Sequence, residues 1–157
     1  MKINSLNNFI MQKIIINIDG GSRGNPGPAA FGVVFSHESG AVIKSYGETM
    51  GIATNNEAEY GGLIFALKKA KQIFGKENLK QYIFEIKSDS ELLVCQLSHR
   101  YKVNGEKIQP LFLEAWNLLI DFSAVNFTAV PREQNSIADR LVNEALKTEG
   151  KNIGQTS

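Results

Sequence analysis

Hydrophobic positions along the chain change their period several times, and each change marks a secondary-structure element. The run Lys13–Asp19, KIIINID, is short and β-branched, and the stretch GGSRGNPGPAA stops it, which predicts a buried strand ending at Asp19. Phe31 to Ser36 and Ala41 to Gly47 predict two more strands, and His37-Glu38-Ser39-Gly40 between them suits a hairpin. From Thr54 to about Phe74 the period is helical, with Leu63, Ala66, Leu67, Ala70 and Phe74 on one side and Lys68, Lys69, Lys71 and Gln72 on the other. Tyr82 to Lys87 predicts a strand, and Ser90 to about Leu97 a short helix. Lys107 to about Phe122 predicts another helix, with Pro110 tolerable only in its first turn. Ala124 to Val130 is a last strand stopped by Pro131, and Asn135 to about Lys147 a last helix. The order βββαβααβα predicts an α/β domain whose first three strands form an antiparallel meander within a mixed sheet covered by helices.

The flanks lack such periods. Residues 1–12 are polar and rich in asparagine and read as a flexible extension, residues 13–147 as the domain, and residues 148–157 as a flexible tail. A chain of 157 residues with 43% hydrophobic content buries one sizeable core and is too short for two ordinary domains. Seventeen Lys and Arg against sixteen Asp and Glu leave a net charge of +1, so any basic surface must be local. Cys95, alone and beside Val94 and Leu97, reads as a buried hydrophobe. The chain has neither a signal-peptide pattern nor a stretch long enough to span a bilayer, which predicts a cytoplasmic protein with no membrane partner, and we expect a monomer.

Candidate chemistry lies in the acids. Asp19 and Asp89 both fall at the carboxyl ends of strands, where the reactive crevice of an open α/β sheet lies. If the first and fourth strands are parallel neighbours, the two acids sit about 5 Å apart, a spacing that invites a divalent cation. Either acid alone would equally serve as a turn or helix-cap residue. Helical phase separates Glu57 from Glu59: with Glu59 at 0°, Leu63 falls at about 40°, Ala70 at about 20° and Glu57 at about 160°. Glu59 therefore points into the apolar stripe, a costly place for an unpaired carboxylate. Glu57 already has a role, because Thr54-Asn55-Asn56-Glu57 fits a capping box. In the last helix, with Ile137 at 0°, Asp139 falls at about 200°, on the border of the buried stripe, where it could reach a crevice or only help cap the helix.

Four segments in this order, IDGGSRGNPGPAAFGVV, TNNEAEY, IKSDSELLV and PREQNSIADRLVNEA, together resemble ribonuclease H of type 1. The resemblance spans residues 14 to 145. It implies a five-stranded mixed sheet, three antiparallel strands followed by two parallel ones, and places Asp19, Glu59, Asp89 and Asp139 as catalytic metal ligands. It implies an endonuclease that cuts the RNA strand of an RNA–DNA hybrid with two Mg²⁺ ions, Mn²⁺ being a possible substitute, and leaves a 3′-hydroxyl and a 5′-phosphate. Oxygen ligands suit Mg²⁺, and His37 and His99 are too isolated to argue for zinc.

Two departures from the family pattern bear on mechanism. Where a histidine commonly precedes the last helix, this chain has Arg132, which cannot act as a base and would steer phosphate or expel product, or simply pair with Glu133. The long basic insertion of many members is missing, since Ser98 to Lys107 holds only Arg100, Lys102 and Lys107, with Tyr101 among them. Hybrid contacts are expected from Gly20, Gly21 and Ser22 through close backbone approach, from Asn25, Asn55 and Asn56 to the 2′-hydroxyl, and from Tyr101 and Lys102. Asn25-Pro26-Gly27 is also a good turn, and Asn55 or Asn56 could merely help the helix start. Alternatives are a broader metal nuclease that also cuts double-stranded RNA and a non-catalytic hybrid-binding module. The first acid lacks the D-x-E pattern of related exonucleases, and all four acids stand.

Overall fold

The computed structural model describes residues 11–155, so residues 1–10 of the expected extension and the last two of the expected tail lie outside the described residues. Strands β1 (Gln12–Ser22), β2 (Gly27–His37) and β3 (Val42–Ala53) precede helix α1 (Asn55–Phe74). Strand β4 (Tyr82–Ser88), helices α2 (Glu91–Leu97) and α3 (Ile108–Leu118), strand β5 (Ala124–Ala129) and helix α4 (Ser136–Gln155) follow. The sheet order is β3-β2-β1-β4-β5, with β1, β2 and β3 antiparallel and β1, β4 and β5 parallel, the mixed sheet the sequence predicts.

The isoleucine run earns its central position by burying Ile14, Ile16 and Ile18 completely while its alternate residues are half-covered. Phe31, Val33 and Phe35 of β2 join them under α1, in one core with Leu63, Ala66, Leu67 and Ala70, as the helical phase requires. Helix α3 packs beside α1, and Cys95 is buried as expected. The opposite face of β2 carries Ala30 and Gly32 under α4. That helix lies close because a Cβ on Gly32 would sit 2.4 Å from the Ala138 carbonyl oxygen, and one on Gly47 2.8 Å from that of Leu141. Gly32→Ala should therefore push α4 off the sheet and cost about 1–3 kcal/mol; an unchanged denaturation midpoint would show that the helix tolerates displacement.

The first three strands are longer than their local patterns suggest. Strand β1 does not end at Asp19 but runs to Ser22, because Gly20, Gly21 and Ser22 keep pairing with Phe31, Ala30 and Ala29. The glycines weaken strand propensity, yet cross-strand pairing overrides it. The turn is closed by Arg23 N–H donating to the Pro28 carbonyl at 2.8 Å. Helix α4 likewise passes Lys147 and reaches Gln155, so Thr148–Gln155 is helical where a flexible tail was expected; no proline interrupts it, and the Thr148 hydroxyl donates to the Glu144 carbonyl at 3.0 Å. Its buried stripe is Ala138, Val142 and Leu146, whereas Ile137 is 45% exposed, so the stripe is turned from the expected Ile137 side toward Asp139.

Candidate active site

Parallel pairing sets the first two acids. Strands β1 and β4 run in register from Gln12 opposite Tyr82 to Asn17 opposite Lys87. Continuing that register by two residues brings Asp19 level with Asp89, just past the end of β4. Asp19 faces the α4 side of the sheet, because it pairs with Gly32, the residue that admits that helix.

Gly20 brings in the third acid. A Cβ there would lie 2.3 Å from the Ala58 carbonyl carbon and 2.5 Å from the Glu59 backbone nitrogen, so only glycine lets the first turns of α1 rest against β1. Its bareness admits the helix, and Gly20 itself also lines the cleft that holds the acids. Asp19, Glu59 and Asp89 each offer a carboxylate oxygen, and these oxygens all lie within 4.8 Å of one another. Asp19 is 6% exposed. Glu59 is half-buried as a side chain, yet its Oε2 is fully buried and has no hydrogen-bond partner. Glu57, in contrast, accepts from Thr54 N–H at 3.1 Å while Thr54 Oγ1 accepts from Glu57 N–H at 3.1 Å, the reciprocal cap that the sequence predicts.

Packing the acids together penalises the ionised forms of Asp19 and Glu59. Burial, then the charges of Asp89 and Asp139, push Asp19 up to about 8, and the Gly20 N–H only partly offsets this. Burial, followed by Asp19 and Asp89, also holds Glu59 well above the usual carboxylate range. An orphaned carboxylate oxygen, an oxygen-only donor set and mutual repulsion together fit a divalent cation, which would partner the orphan and relieve the repulsion.

Asp139 lines the same cleft, of about 340 Å³, without joining the tight cluster of three. Its Oδ1 lies 3.7 Å from Arg132 Nη2, and its Oδ2 accepts from Asn143 Nδ2 at 3.5 Å. Gly21, Ser22 and Asn55 also line the cleft. Asn55 Oδ1 accepts from the Ser22 backbone at 2.9 Å and hydroxyl at 3.1 Å, and Asn25 Oδ1 accepts from Asn55 N–H at 2.8 Å. These amide oxygens hold the loop to the start of α1, and the amide nitrogens of both asparagines remain to offer a ligand. The Asn56 side chain is not drawn into this network. Tyr101 and Lys102 line a different concavity, beside Arg100 and Phe112, and not the acidic cleft.

Three residues escaped the sequence reading. Asn135 is 2% exposed; its Nδ2 donates to the Ile18 carbonyl at 2.8 Å and lies 3.5 Å from Asp89 Oδ1, while its Oδ1 accepts from Asn17 Nδ2 at 3.1 Å. It ties the turn before α4 to β1 and to an acid of the cluster. Its only sequence signal was its place in the PREQN segment. Arg23 and Asn143 also line the cleft, and nothing in their local pattern marked them.

Three carboxylates gathered where the parallel strands of a β3-β2-β1-β4-β5 sheet end, under a helix on each face, define a domain of the ribonuclease H-like class. Known proteins agree. A family model described as Reverse transcriptase-like matches residues 17–145. Ribonuclease HI of Halobacterium salinarum is 42% identical over 128 residues, which is 82% of this chain and 61% of that protein. A bifunctional protein of Mycobacterium tuberculosis is 41% identical over 135 residues, 85% of this chain and 35% of that protein. Among solved structures, LC11-RNase H1 in complex with an RNA/DNA hybrid has a TM-score of 0.82 at 38% identity, with 87% of this chain and 98% of that one covered. The chain belongs to the ribonuclease HI family. It spans only 61% and 35% of the two relatives' lengths.

Proposed function

We propose that the chain is an endoribonuclease that hydrolyses the RNA strand of an RNA–DNA hybrid, leaving a 3′-hydroxyl and a 5′-phosphate. The observation that carries this reading is the cluster of Asp19, Glu59 and Asp89 with its unpartnered Glu59 Oε2. These three, with Asp139 at the rim, would hold two Mg²⁺ ions, or Mn²⁺ in their place. Divalent ions supply charge compensation at the scissile phosphate and activate water.

The chain's own residues do the rest. Asn135 holds Asp89 in position through β1. Arg132, whose side chain is 76% exposed beside Asp139, remains a cation at any working pH and so draws in phosphate or releases product without handling protons. Asn25, Asn55 and Asn56 present amide N–H groups to the 2′-hydroxyl in the minor groove, and the Gly20–Ser22 backbone flanks them. Tyr101 and Lys102 contact the hybrid away from the cut. The enzyme works as a cytoplasmic monomer. With few cations to grip the backbone, hybrid affinity is modest and falls steeply with salt.

Side-by-side assays on a hybrid, a double-stranded RNA and a single strand, each with Mg²⁺ and with Mn²⁺, test this reading. It expects cleavage of the hybrid far above the other two; equal cleavage of double-stranded RNA would move the chain to a broader nuclease class. Asn56→Ala should slow hybrid cleavage about 10- to 100-fold at unchanged stability, whereas Asn55→Ala should also lose about 1 kcal/mol by freeing Ser22. Single 2′-deoxy substitutions around the cut should erase the difference between wild type and Asn56→Ala. A difference that persists would show that this amide does not read the hydroxyl.

A further inference from the structure

Arg23 lines the cleft that holds Asp19, Glu59, Asp89, Asp139 and Arg132, and the nuclease reading of that cleft leaves it without a role. The two guanidiniums of the cleft differ. Arg132 lies 3.7 Å from Asp139, whereas the exposed Arg23 makes no ion pair among the described residues, although four carboxylates share its cleft. They also stand on opposite sides of the acids. In the sheet order β3-β2-β1-β4-β5, Arg23 sits in the turn that carries β1 into β2, and Arg132 in the turn that leads from β5 to α4. Asp19 and Asp89, at the ends of β1 and β4, lie between them.

The backbone that carries Arg23 is pinned on both sides. The Ser22 N–H and hydroxyl donate to Asn55 Oδ1 at 2.9 and 3.1 Å, and Asn25 Oδ1 accepts from Asn55 N–H at 2.8 Å. Arg23 N–H donates to the Pro28 carbonyl at 2.8 Å, and a Cβ on Gly27 would sit 1.9 Å from the Arg23 carbonyl oxygen, so the turn is tightly closed. A ligand would have only the side chain left to order. A guanidinium without an acid partner suits a phosphate, whose oxygens it can meet with two parallel N–H donors. The scissile phosphate belongs to cations held by the acids, which leaves Arg23 the neighbouring phosphates of the same strand. We propose that Arg23 binds a backbone phosphate of the RNA strand next to the scissile one, on the side of the cut opposite to the one that Arg132 serves. This rests on the reading of the chain as a hybrid nuclease. Two cations that bracket the acids fix the register of the strand without reading a base.

The test uses hybrids that carry one uncharged methylphosphonate at successive positions of the RNA strand around the cut. Each has a deoxyribose at that nucleotide, which spares the linkage from attack by the 2′-hydroxyl, and is compared with the same strand bearing an ordinary phosphate. Binding and cutting are measured for wild type, Arg23→Ala, Arg23→Lys and Arg132→Ala. Arg23→Ala should bind the unmodified hybrid about 5-fold more weakly and flatten the salt dependence by about one phosphate's worth. Its thermal midpoint should be unchanged, since alanine keeps the N–H bonded to Pro28. Arg23→Lys should restore the salt dependence but only part of the affinity. Neutralising one phosphate beside the cut should weaken binding by wild type and by Arg132→Ala, and should cost Arg23→Ala nothing further. A loss at that phosphate that persists in Arg23→Ala overturns the proposal, as does an Arg23→Ala variant with wild-type affinity and salt dependence. So does a loss that vanishes at the same phosphate in Arg132→Ala, which would put both arginines on one side of the cut. Binding is scored apart from cutting, so a bound but uncut hybrid would count against the nuclease reading alone, and the position-specific loss would still decide Arg23.

Discussion

Replacing Asp19 by asparagine should abolish hybrid cleavage, by at least about 1000-fold, while making the metal-free protein more stable. The two effects share one origin. Asp19 lies 6% exposed beside Asp89 and Glu59, where its carboxylate would serve a cation and otherwise meets like charge and a dry surrounding that the Gly20 N–H offsets only in part. Its folded pKa of about 8 stands above the ordinary 3.8. For an acid raised in this direction, stability is fully present below the unfolded value and is lost as pH climbs from there through about 8. Metal-free wild type should therefore weaken across that window. Asp19→Asn should weaken less, though not remain flat, because Glu59 is raised as well and stays in place. At pH 7 the variant should gain on the order of 1–3 kcal/mol. Thermal unfolding in a chelator across pH, with and without Mg²⁺, reads both sides of this. Retained Mg²⁺-dependent cleavage by the variant, or a variant less stable than wild type at pH 8, contradicts the site.

Glu59→Gln and Glu57→Gln should separate cleanly, although the two residues are near neighbours on one helix. Glutamine at 59 keeps the shape but supplies a neutral amide where the orphaned Oε2 points, and cleavage should fall by about 1000-fold. Glutamine at 57 still accepts the Thr54 N–H, so cleavage should be unchanged and stability lower by at most about 1 kcal/mol. Hybrid cleavage rates and denaturant midpoints of both variants settle it. Comparable loss of activity in the two would mean that the cap and the cluster are not independent.

The same contrast explains how far the sequence could be read. Glu59 was legible because helical phase is a local property, and the stripe Leu63, Ala66, Leu67 and Ala70 that it joins is buried as drawn. Asp19 and Asp89 were legible as strand-end acids, but the β1 end was not, since Gly20 to Ser22 pair on against β2 through contacts no local pattern encodes. In α4 the part of the stripe nearer Asp139, Ala138, Val142 and Leu146, is buried, while Ile137 at its other edge is exposed. Ile137 is the more apolar residue, yet the sheet selects Ala138, because Gly32 and Gly47 admit only a close helix surface. That choice is what turns Asp139 into the cleft. Asn135 was invisible in role because its partners, the Ile18 carbonyl and Asn17, lie more than a hundred residues back along the chain. The asparagines at 25 and 55 were found, but their amide oxygens are already engaged in holding the loop to α1.

The most direct test of the whole account is to map the ends made from a hybrid labelled in either strand, with Mg²⁺ and again with a chelator. If the carboxylates hold the cations that would activate water, the ends should be 5′-phosphate and 3′-hydroxyl and the chelator should silence the reaction, and if the 2′-hydroxyl is read, the RNA strand alone should be cut. Cleavage of the DNA strand, 2′,3′-cyclic phosphate ends, or cutting that survives chelation would contradict it.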